Sequence, residues 1–137
     1  VRFGEKVYSP IIDKGEADYI VSFEKLEAAR WLEYLKPGGQ LISNLQETDP
    51  MPVITGAMAY PADLIEKMKG LGINVDAIDA LALAEEAGSP KAVNLVLMGR
   101  LSKYFDLPQE AWIEAIEACV PPKFLELNKK AFALGRK

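Results

Sequence analysis

The stretch DYIVSFEKLEAARWLEYLKPGGQLISNL, residues 18–45, decides the fold of this chain. Its β-branched and aromatic opening, Asp18 to Phe23, predicts a strand. Apolar residues at helical spacing from Glu24 onward predict a helix that Lys36-Pro37-Gly38-Gly39 ends, and Gln40 to Leu45 is the next strand. A strand, a helix and a strand in this order predict two parallel strands joined by a right-handed crossover.

The chain continues the alternation of strands and helices as far as residue 88. Val53-Ile54-Thr55 is predicted to be a short strand, and a helix is predicted to open at Pro61. Ile73 to Ile78 is predicted to be a third core strand. Asp79 is a good N-cap for a short helix over Ala80 to Ala87. This half therefore predicts a largely parallel sheet with flanking helices.

Beyond residue 88 the periodicity predicts helices alone. Ala92 to Phe105 is apolar on nearly every side, so we expect it to be covered all round. Gly99 inside it predicts close approach of another element. Pro108 to Val120 is amphipathic, and Pro121-Pro122 precedes a last helix. The C-terminal segment is therefore expected to be all-helical.

The first residues differ from the usual start of a doubly wound α/β fold. Val1 to Ser9, with a turn at residues 4–6, predicts an opening hairpin. No strand with a Gly-rich phosphate turn precedes it, so we expect the first βα unit to be lacking. Residues 1–137 are predicted to form a single α/β domain that lacks this first unit.

Charge and hydropathy exclude two classes of partner. The net charge is −4 and the basic residues are scattered, which leaves no footprint for a phosphate backbone, so nucleic acid is not expected. The apolar runs are too short to span a bilayer, and no basic-then-apolar leader opens the chain. We therefore expect a soluble, cytoplasmic protein that contacts no membrane.

Two residue counts limit the chemistry of this chain. Histidine is absent and Cys119 is the single cysteine, so the chain lacks the usual general base and cannot hold an iron–sulfur cluster alone. We predict no catalytic residue, no metal ligand and no bound cofactor. Cys119 follows an apolar pattern and is expected to be buried packing.

A few polar residues stand out as candidates for contact with a substrate or partner. Three asparagines lie where the pattern predicts apolar or indifferent residues, and each is either a satisfied amide or a ligand contact. Glu24 follows a strand, Lys123 follows a stiff Pro-Pro pair, and Ser9 lies near the predicted strand ends. The full set of candidates is Ser9, Glu24, Asn44, Asn94, Lys123 and Asn128.

Two alternatives stay open at this point. The Pro37-Gly38-Gly39 turn between a helix and a strand resembles a late motif of class I S-adenosylmethionine-dependent methyltransferases, although many α/β folds use it simply as a tight turn. A free-standing interaction module without enzymatic function is the other alternative.

Taken in order, many short segments resemble the gamma-type subunit of 2-oxoacid:ferredoxin oxidoreductases, and the C-terminal ones are most similar to the indolepyruvate-type small subunit. The resemblance covers nearly the whole chain, and only the family's front Gly-rich part has no counterpart here. The matching segments are Val1 to Gly4, Tyr8 to Pro10, Gly15 to Asp18, Phe23 to Ala28, Leu35 to Gly39, Ser43-Asn44, Asp79 to Ala84, Gly88 to Asn94, Met98-Gly99, Pro121 to Asn128, Ala131-Phe132 and Gly135.

This resemblance implies a complex that oxidatively decarboxylates a 2-oxoacid of the indolepyruvate or pyruvate type to an acyl-CoA and passes the electrons to ferredoxin. It implies that thiamine diphosphate, [4Fe–4S] clusters and coenzyme A serve the whole complex, with the first two held by a large partner subunit or by other domains. This chain would act in assembly and help to form the entrance for substrate or coenzyme A.

Overall fold

Three parallel strands form the centre of the computed structural model, which describes residues 1–137. Their order in the sheet follows the chain, with the second strand in the middle. The elements are β1 (Ala17–Ser22), α1 (Lys25–Arg30), β2 (Leu35–Asn44), α2 (Met51–Ile54), α3 (Leu64–Gly70), β3 (Asn74–Ile78), α4 (Ala80–Ala87), α5 (Val93–Leu101), α6 (Gln109–Cys119) and α7 (Leu125–Arg136). The α/β prediction is confirmed.

The register of the sheet contains one irregularity. Tyr19 pairs with Gln40, and Gln40 pairs with Asn74 on the other side. Ala17, however, pairs with Leu35, so residues 36–39 bulge out of β2. Gly38 has a φ of 78°, which favours glycine because other residues are strained there. The Pro-Gly-Gly turn is therefore a bulge at the amino-terminal edge of the sheet.

The two faces of the sheet have separate cores because neighbouring side chains on a strand point to opposite faces. Ile42 belongs to the larger core, which is built mainly from α4, α5 and α7. Leu41 belongs to the smaller core, which includes residues of α1 and α3. The buried members of the larger core are Ile42, Ala80, Ala84, Ala87, Ala92, Val96, Leu97, Ala131 and Leu134. Those of the smaller core are Ala28, Leu35, Leu41, Ile65 and Met68.

Helices α5 and α7 cross at very close range through two buried glycines. A Cβ atom on Gly99 would lie 2.1 Å from the carbonyl oxygen of Phe132, and one on Gly135 would lie 1.9 Å from that of Val96. No side chain fits at such distances, so the backbones themselves are in contact. The close approach predicted at Gly99 is confirmed.

A polar network fastens β3 to the end of α5. The Asp76 carboxylate accepts hydrogen bonds from Arg100 Nε and from Tyr104 OH, both at 2.7 Å. Tyr19 OH in turn donates to the Tyr104 carbonyl oxygen at 2.8 Å. Burial alone would raise the pKa of Asp76, but the bonds from Arg100 and Tyr104 lower it below its usual range. Burial and the bond to Asp76 raise the pKa of Tyr104 to about 12.

The predicted opening hairpin is wrong, because no strand precedes Ala17. Side chains hold this segment instead: Arg2 donates to the Ile11 carbonyl oxygen at 2.7 Å and pairs with Glu16 at 2.8 Å. Phe3 stacks on Phe105 with the ring centroids 6.5 Å apart. A two-stranded ribbon is marginal by itself, and the opening residues do not pair with the sheet.

Two further predictions need correction near the middle of the chain. Val53-Ile54-Thr55 is not a strand, since Met51–Ile54 is a helical turn that begins with Pro52 in its first turn, a position where proline is favoured. The predicted long helix from Ala92 is split into α5 and two flanking 3₁₀ turns. It is not covered all round, because Asn94 and Met98 are exposed.

The predicted burial of Cys119 is also wrong, because this residue is exposed. Helix α6 buries Ile116 alone, and Trp112 packs edge-on against Phe105 with the ring centroids 5.6 Å apart. Cys119 is the last residue of α6, and the two residues before it, Glu117 and Ala118, are exposed as well. None of the helices in the structure is long and apolar enough to cross a membrane.

Candidate functional site at the carboxyl edge of the sheet

The carboxyl ends of the three strands lie together, because parallel strands end at the same edge. Ser22, Asn44 and Ile78 are the last residues of β1, β2 and β3, and the Leu45 N–H donates to the Ile78 carbonyl oxygen at 2.9 Å. In open α/β sheets this edge is where ligands and partners usually bind. Two of the predicted candidates, Glu24 and Asn44, lie here.

Asn44 is fully buried and joins all three strand ends. Its Nδ2 donates to the carbonyl oxygen of Phe23 at 3.2 Å, and its Oδ1 accepts from the N–H of Ala80 at 3.0 Å. The Gln46 Oε1 lies 3.4 Å from the same Nδ2. A buried amide with both ends bonded stabilises the fold, so the satisfied-amide alternative describes Asn44.

Glu24 is buried, with 8% of its surface exposed, and both its carboxylate oxygens are bonded. Oε2 caps α1 by accepting from the Glu27 N–H at 2.7 Å. Oε1 accepts from the Thr48 N–H at 3.3 Å and from the hydroxyl of Tyr60. One carboxylate therefore ties the start of α1 to Thr48 and Tyr60, which lie near the two ends of the segment between β2 and α3.

These contacts set the pKa of the Glu24 carboxyl and of the Tyr60 hydroxyl. Desolvation would raise the pKa of Glu24, but the hydrogen bonds donated by Tyr60 and by the backbone N–H groups of Glu27, Leu26 and Thr48 lower it below its usual range. Burial, and then the bond to the Glu24 carboxylate, raise the pKa of the Tyr60 hydroxyl well above its usual value. Glu24 is thus a stably ionised anchor and unsuited to general acid–base catalysis near pH 7.

The anchored residues Pro50 to Ala62 form a protruding stretch that we call the 50–62 segment. Met51, Ile54 and Met58 project from it with 66%, 65% and 64% of their surfaces exposed. Phe23, the residue directly after β1, is also exposed. The carboxyl edge therefore presents large apolar side chains around a buried polar base.

The remaining candidates lie in three other places. Ser9 is in the opening segment, where its Oγ accepts from the Ile11 N–H at 3.2 Å. Asn94 is exposed on α5. Lys123 and Asn128 lie together at the start of α7: the Lys123 Nζ is 4.7 Å from the centroid of the Phe124 ring, and Asn128 donates to the Phe124 carbonyl oxygen at 2.8 Å. The candidates therefore do not form one site.

The structure contains no group of three or more His, Cys, Asp or Glu side chains placed to hold a metal ion. A cleft of about 680 Å³ lies beside the free edge of β1. Phe3, Tyr19, Leu101 and Phe105 are among its mainly apolar lining residues, and Arg2 lies at the same cleft. A smaller polar groove of about 250 Å³ lies against the Pro-Gly-Gly bulge at the opposite, amino-terminal edge.

The sequence pattern missed the residues that organise the carboxyl edge. Thr48 and Tyr60 contact Glu24 from 24 and 36 positions away, a distance that no local periodicity reports. The 50–62 segment did carry a signal, because it is a run of thirteen residues without a charged side chain. Charge patterning could therefore have identified it as unusual surface.

The sequence matches the pyruvate ferredoxin/flavodoxin oxidoreductase family over residues 1–137. It is 42% identical over 144 residues to indolepyruvate oxidoreductase subunit IorB of Thermococcus kodakarensis, and 40% identical over 144 residues to that of Pyrococcus horikoshii. Each alignment covers 100% of this chain and 70% of the relative.

Among solved structures, the keto/oxoacid ferredoxin oxidoreductase gamma subunit of Geobacter sulfurreducens shares the fold with a TM-score of 0.64 at 23% identity. That alignment covers 91% of this chain and 65% of the other. The alternation of strands and helices that residues 18–45 begin is thus found in a solved relative. The family match covers residues 1–137, and the 42% identity to the Thermococcus kodakarensis subunit extends over all of this chain. This chain therefore belongs to the pyruvate ferredoxin/flavodoxin oxidoreductase family.

Proposed function

We propose that this chain is the small, gamma-type subunit of an indolepyruvate-type 2-oxoacid:ferredoxin oxidoreductase. The observation that carries the proposal is the 42% identity to a named indolepyruvate oxidoreductase subunit, which extends over all of this chain. The family match over residues 1–137 supports it independently of any single motif. Neither the family match nor the sequence identity supports the methyltransferase alternative. Its Pro-Gly-Gly turn lies at the amino-terminal edge of the sheet, opposite the carboxyl ends of the strands.

The reaction of the proposed complex removes carbon dioxide from a 2-oxoacid, joins the acyl group to coenzyme A and passes two electrons to ferredoxin. We assign thiamine diphosphate and the [4Fe–4S] clusters to the large subunit. A [4Fe–4S] cluster takes four cysteine thiolates, whereas this chain has Cys119 alone and has no histidine. The proposal places the complex in the cytoplasm.

The proposed role of this chain is assembly and the shaping of an entrance for substrate or coenzyme A. The side chains at the carboxyl edge support a positioning role, since the Glu24 and Asn44 hydrogen-bonding groups are bonded within the fold. Such groups fix the shape of a surface without reacting. The exposed apolar side chains above them supply the contact area that an assembly subunit needs.

Reconstitution of the complex tests this proposal. The large subunit and this chain are purified separately and then mixed, and indolepyruvate- and coenzyme A-dependent reduction of ferredoxin is measured. We expect the two to co-purify as a stable complex and the reaction to require both. A free-standing interaction module would leave the large subunit fully active alone, and that result would overturn the proposal.

A further inference from the structure

The 50–62 segment has the composition of an interface and not of a solvated loop. It runs for thirteen residues without a charged side chain, whereas 26% of the whole chain is charged, so about three charges would be expected in a stretch of this length. Its bulky side chains Met51, Ile54 and Met58 are each about two-thirds exposed. Interface cores are depleted in charge and enriched in methionine.

The segment is also held in one shape. The Met58 N–H donates to the Pro52 carbonyl oxygen at 3.0 Å, and the Thr55 hydroxyl donates to the same oxygen at 3.3 Å. Tyr60 lies in the segment and is fastened to the buried Glu24 carboxylate. A surface ordered before association loses less conformational entropy when it binds, so these bonds favour docking.

The exposed area of the chain is large enough to include such an interface. A folded protein of 15.1 kDa exposes about 7,100 Å², while this chain exposes 8658 Å². The excess of about 1,600 Å² is more than the roughly 800 Å² that each partner buries in an interface of standard size. The total area therefore leaves room for an interface of standard size, and the exposed apolar side chains of the 50–62 segment are one part of that area.

The charges beside the segment indicate which partner covers it. Asp49 and Asp63 flank it directly, and neither belongs to an ion pair. In a two-fold dimer of this chain the same carboxylates would face each other and repel. A partner with an apolar hollow and a basic rim complements both features.

We infer that the 50–62 segment is the docking surface for the large subunit, with Met51, Ile54 and Met58 inserted into an apolar hollow on that subunit. The inference rests on the proposed function, because it takes its partner from there. It adds the segment that makes the contact and the chemistry of the surface that receives it.

Charge insertion at the exposed positions tests the inference. Ile54→Asp and Met58→Asp are compared with Leu71→Asp, a matched control whose side chain is 74% exposed after α3, where the chain turns towards the amino end of β3. Each variant is titrated against the large subunit by calorimetry, and its melting temperature is measured in the absence of that subunit. We expect the two segment variants to bind at least about tenfold more weakly and Leu71→Asp to bind within about twofold of the parent. All three should melt within a few degrees of the parent.

Amide hydrogen exchange identifies the occupant. We expect the amides of residues 50–62 to exchange more slowly when the large subunit is added, beyond the protection that the segment's own hydrogen bonds give. No further slowing would show that the large subunit does not cover the segment, and slowing that depends on the concentration of the isolated chain would show that a second copy covers it; either finding overturns the inference.

The binding results separate the inference from the function it rests on. Parent-like binding of both segment variants, or an equal loss in Leu71→Asp, overturns the docking surface and leaves the proposed function intact. Failure of the parent chain itself to bind the large subunit overturns both.

Discussion

The α5–α7 crossing and the 50–62 segment place their residues in opposite environments. At the crossing, Gly99 and Gly135 bring two backbones so close that a methyl group does not fit. In the segment, Met51 and Ile54 project large side chains that touch little of their own chain. At the crossing, the absence of side chains lets two helices pack closely within the fold. In the 50–62 segment, large side chains project from the fold into solvent.

This contrast separates residues that stabilise the chain from residues that serve assembly. Substitutions at the crossing should lower the free energy of unfolding, and substitutions in the segment should alter binding with little effect on folding. The anchor at Glu24 lies between these extremes, because it is buried but holds an exposed segment.

The largest expected effect is at the crossing. In Gly135→Ala the new methyl group would lie 1.9 Å from the Val96 carbonyl oxygen, so α5 and α7 must separate. We expect a loss of about 3 kcal/mol in the free energy of unfolding, measured by urea denaturation. Gly70→Ala is the matched control, since nothing lies within 4 Å of its added Cβ, and it should be neutral or slightly stabilising. Similar stabilities of Gly135→Ala and Gly70→Ala would contradict the stabilising role assigned to the α5–α7 crossing.

The next effect concerns the anchor. In Glu24→Gln the amide nitrogen faces donors such as the Thr48 or Glu27 N–H, which leaves a buried donor unsatisfied and costs about 1–3 kcal/mol. Because the folded-state pKa of Glu24 is lowered, its stabilisation is present above the unfolded value of about 4.3 and is lost as pH falls through the folded value.

Urea denaturation at a series of pH values between neutral and about 3 measures this. We expect Glu24→Gln to be less stable than the parent near pH 7, and the two stabilities to converge as the pH falls. Tyr60→Phe, which removes the strongest of the hydrogen bonds that lower the pKa of Glu24, should lose about 1 kcal/mol and much of the pH dependence. A constant gap between Glu24→Gln and the parent at all these pH values would contradict the assignment.

A smaller effect is expected in the network that joins β3 to α5. Tyr104→Phe removes the 2.7 Å hydrogen bond to Asp76 and should cost about 1 kcal/mol in thermal or urea denaturation. Tyr8→Phe is the control because Tyr8 is 86% exposed, and it should be neutral. If the network between β3 and α5 stabilises the fold, Tyr104→Phe should be less stable than Tyr8→Phe.

The smallest effect is expected at Cys119. Since the residue is exposed at the end of α6, Cys119→Ser should change the free energy of unfolding by less than about 0.5 kcal/mol. The thiol of the parent should also react with a thiol reagent without denaturant. A slow reaction that needs unfolding would show that the end of α6 is covered.

The parts of the fold that depend on neighbouring residues could be predicted from sequence. Asp79 caps the helix over Ala80–Ala87 as predicted, accepting from the Ala82 N–H at 2.9 Å, and Gly88 ends it with a φ of 123°. The parallel strands around residues 18–45 also follow from local periodicity. Gly99 predicted a close neighbour, although the sequence could not show that the neighbour is α7.

The parts that failed depend on distant partners. The hairpin over Val1 to Ser9 needed a third strand, and burial of Cys119 needed a second layer over the end of α6. Asn44 could be identified as an unusual polar residue, but its partners Phe23 and Ala80 lie 21 and 36 positions away. The contact of Glu24 with a partner stays a prediction, and the bond of its carboxylate to Tyr60, 36 positions away, is what local periodicity could not show.

The glycine crossing also has a consequence for synthesis. Helix α5 cannot be covered by α7 until the ribosome has made the residues as far as Arg136, roughly two to seven seconds after Leu101 at ordinary elongation rates. During that interval Val96 and Leu97, which are fully buried in the finished fold, lack the partner helix. The nascent chain is therefore most open to chaperone binding, or to aggregation, between the completion of α5 and the arrival of α7.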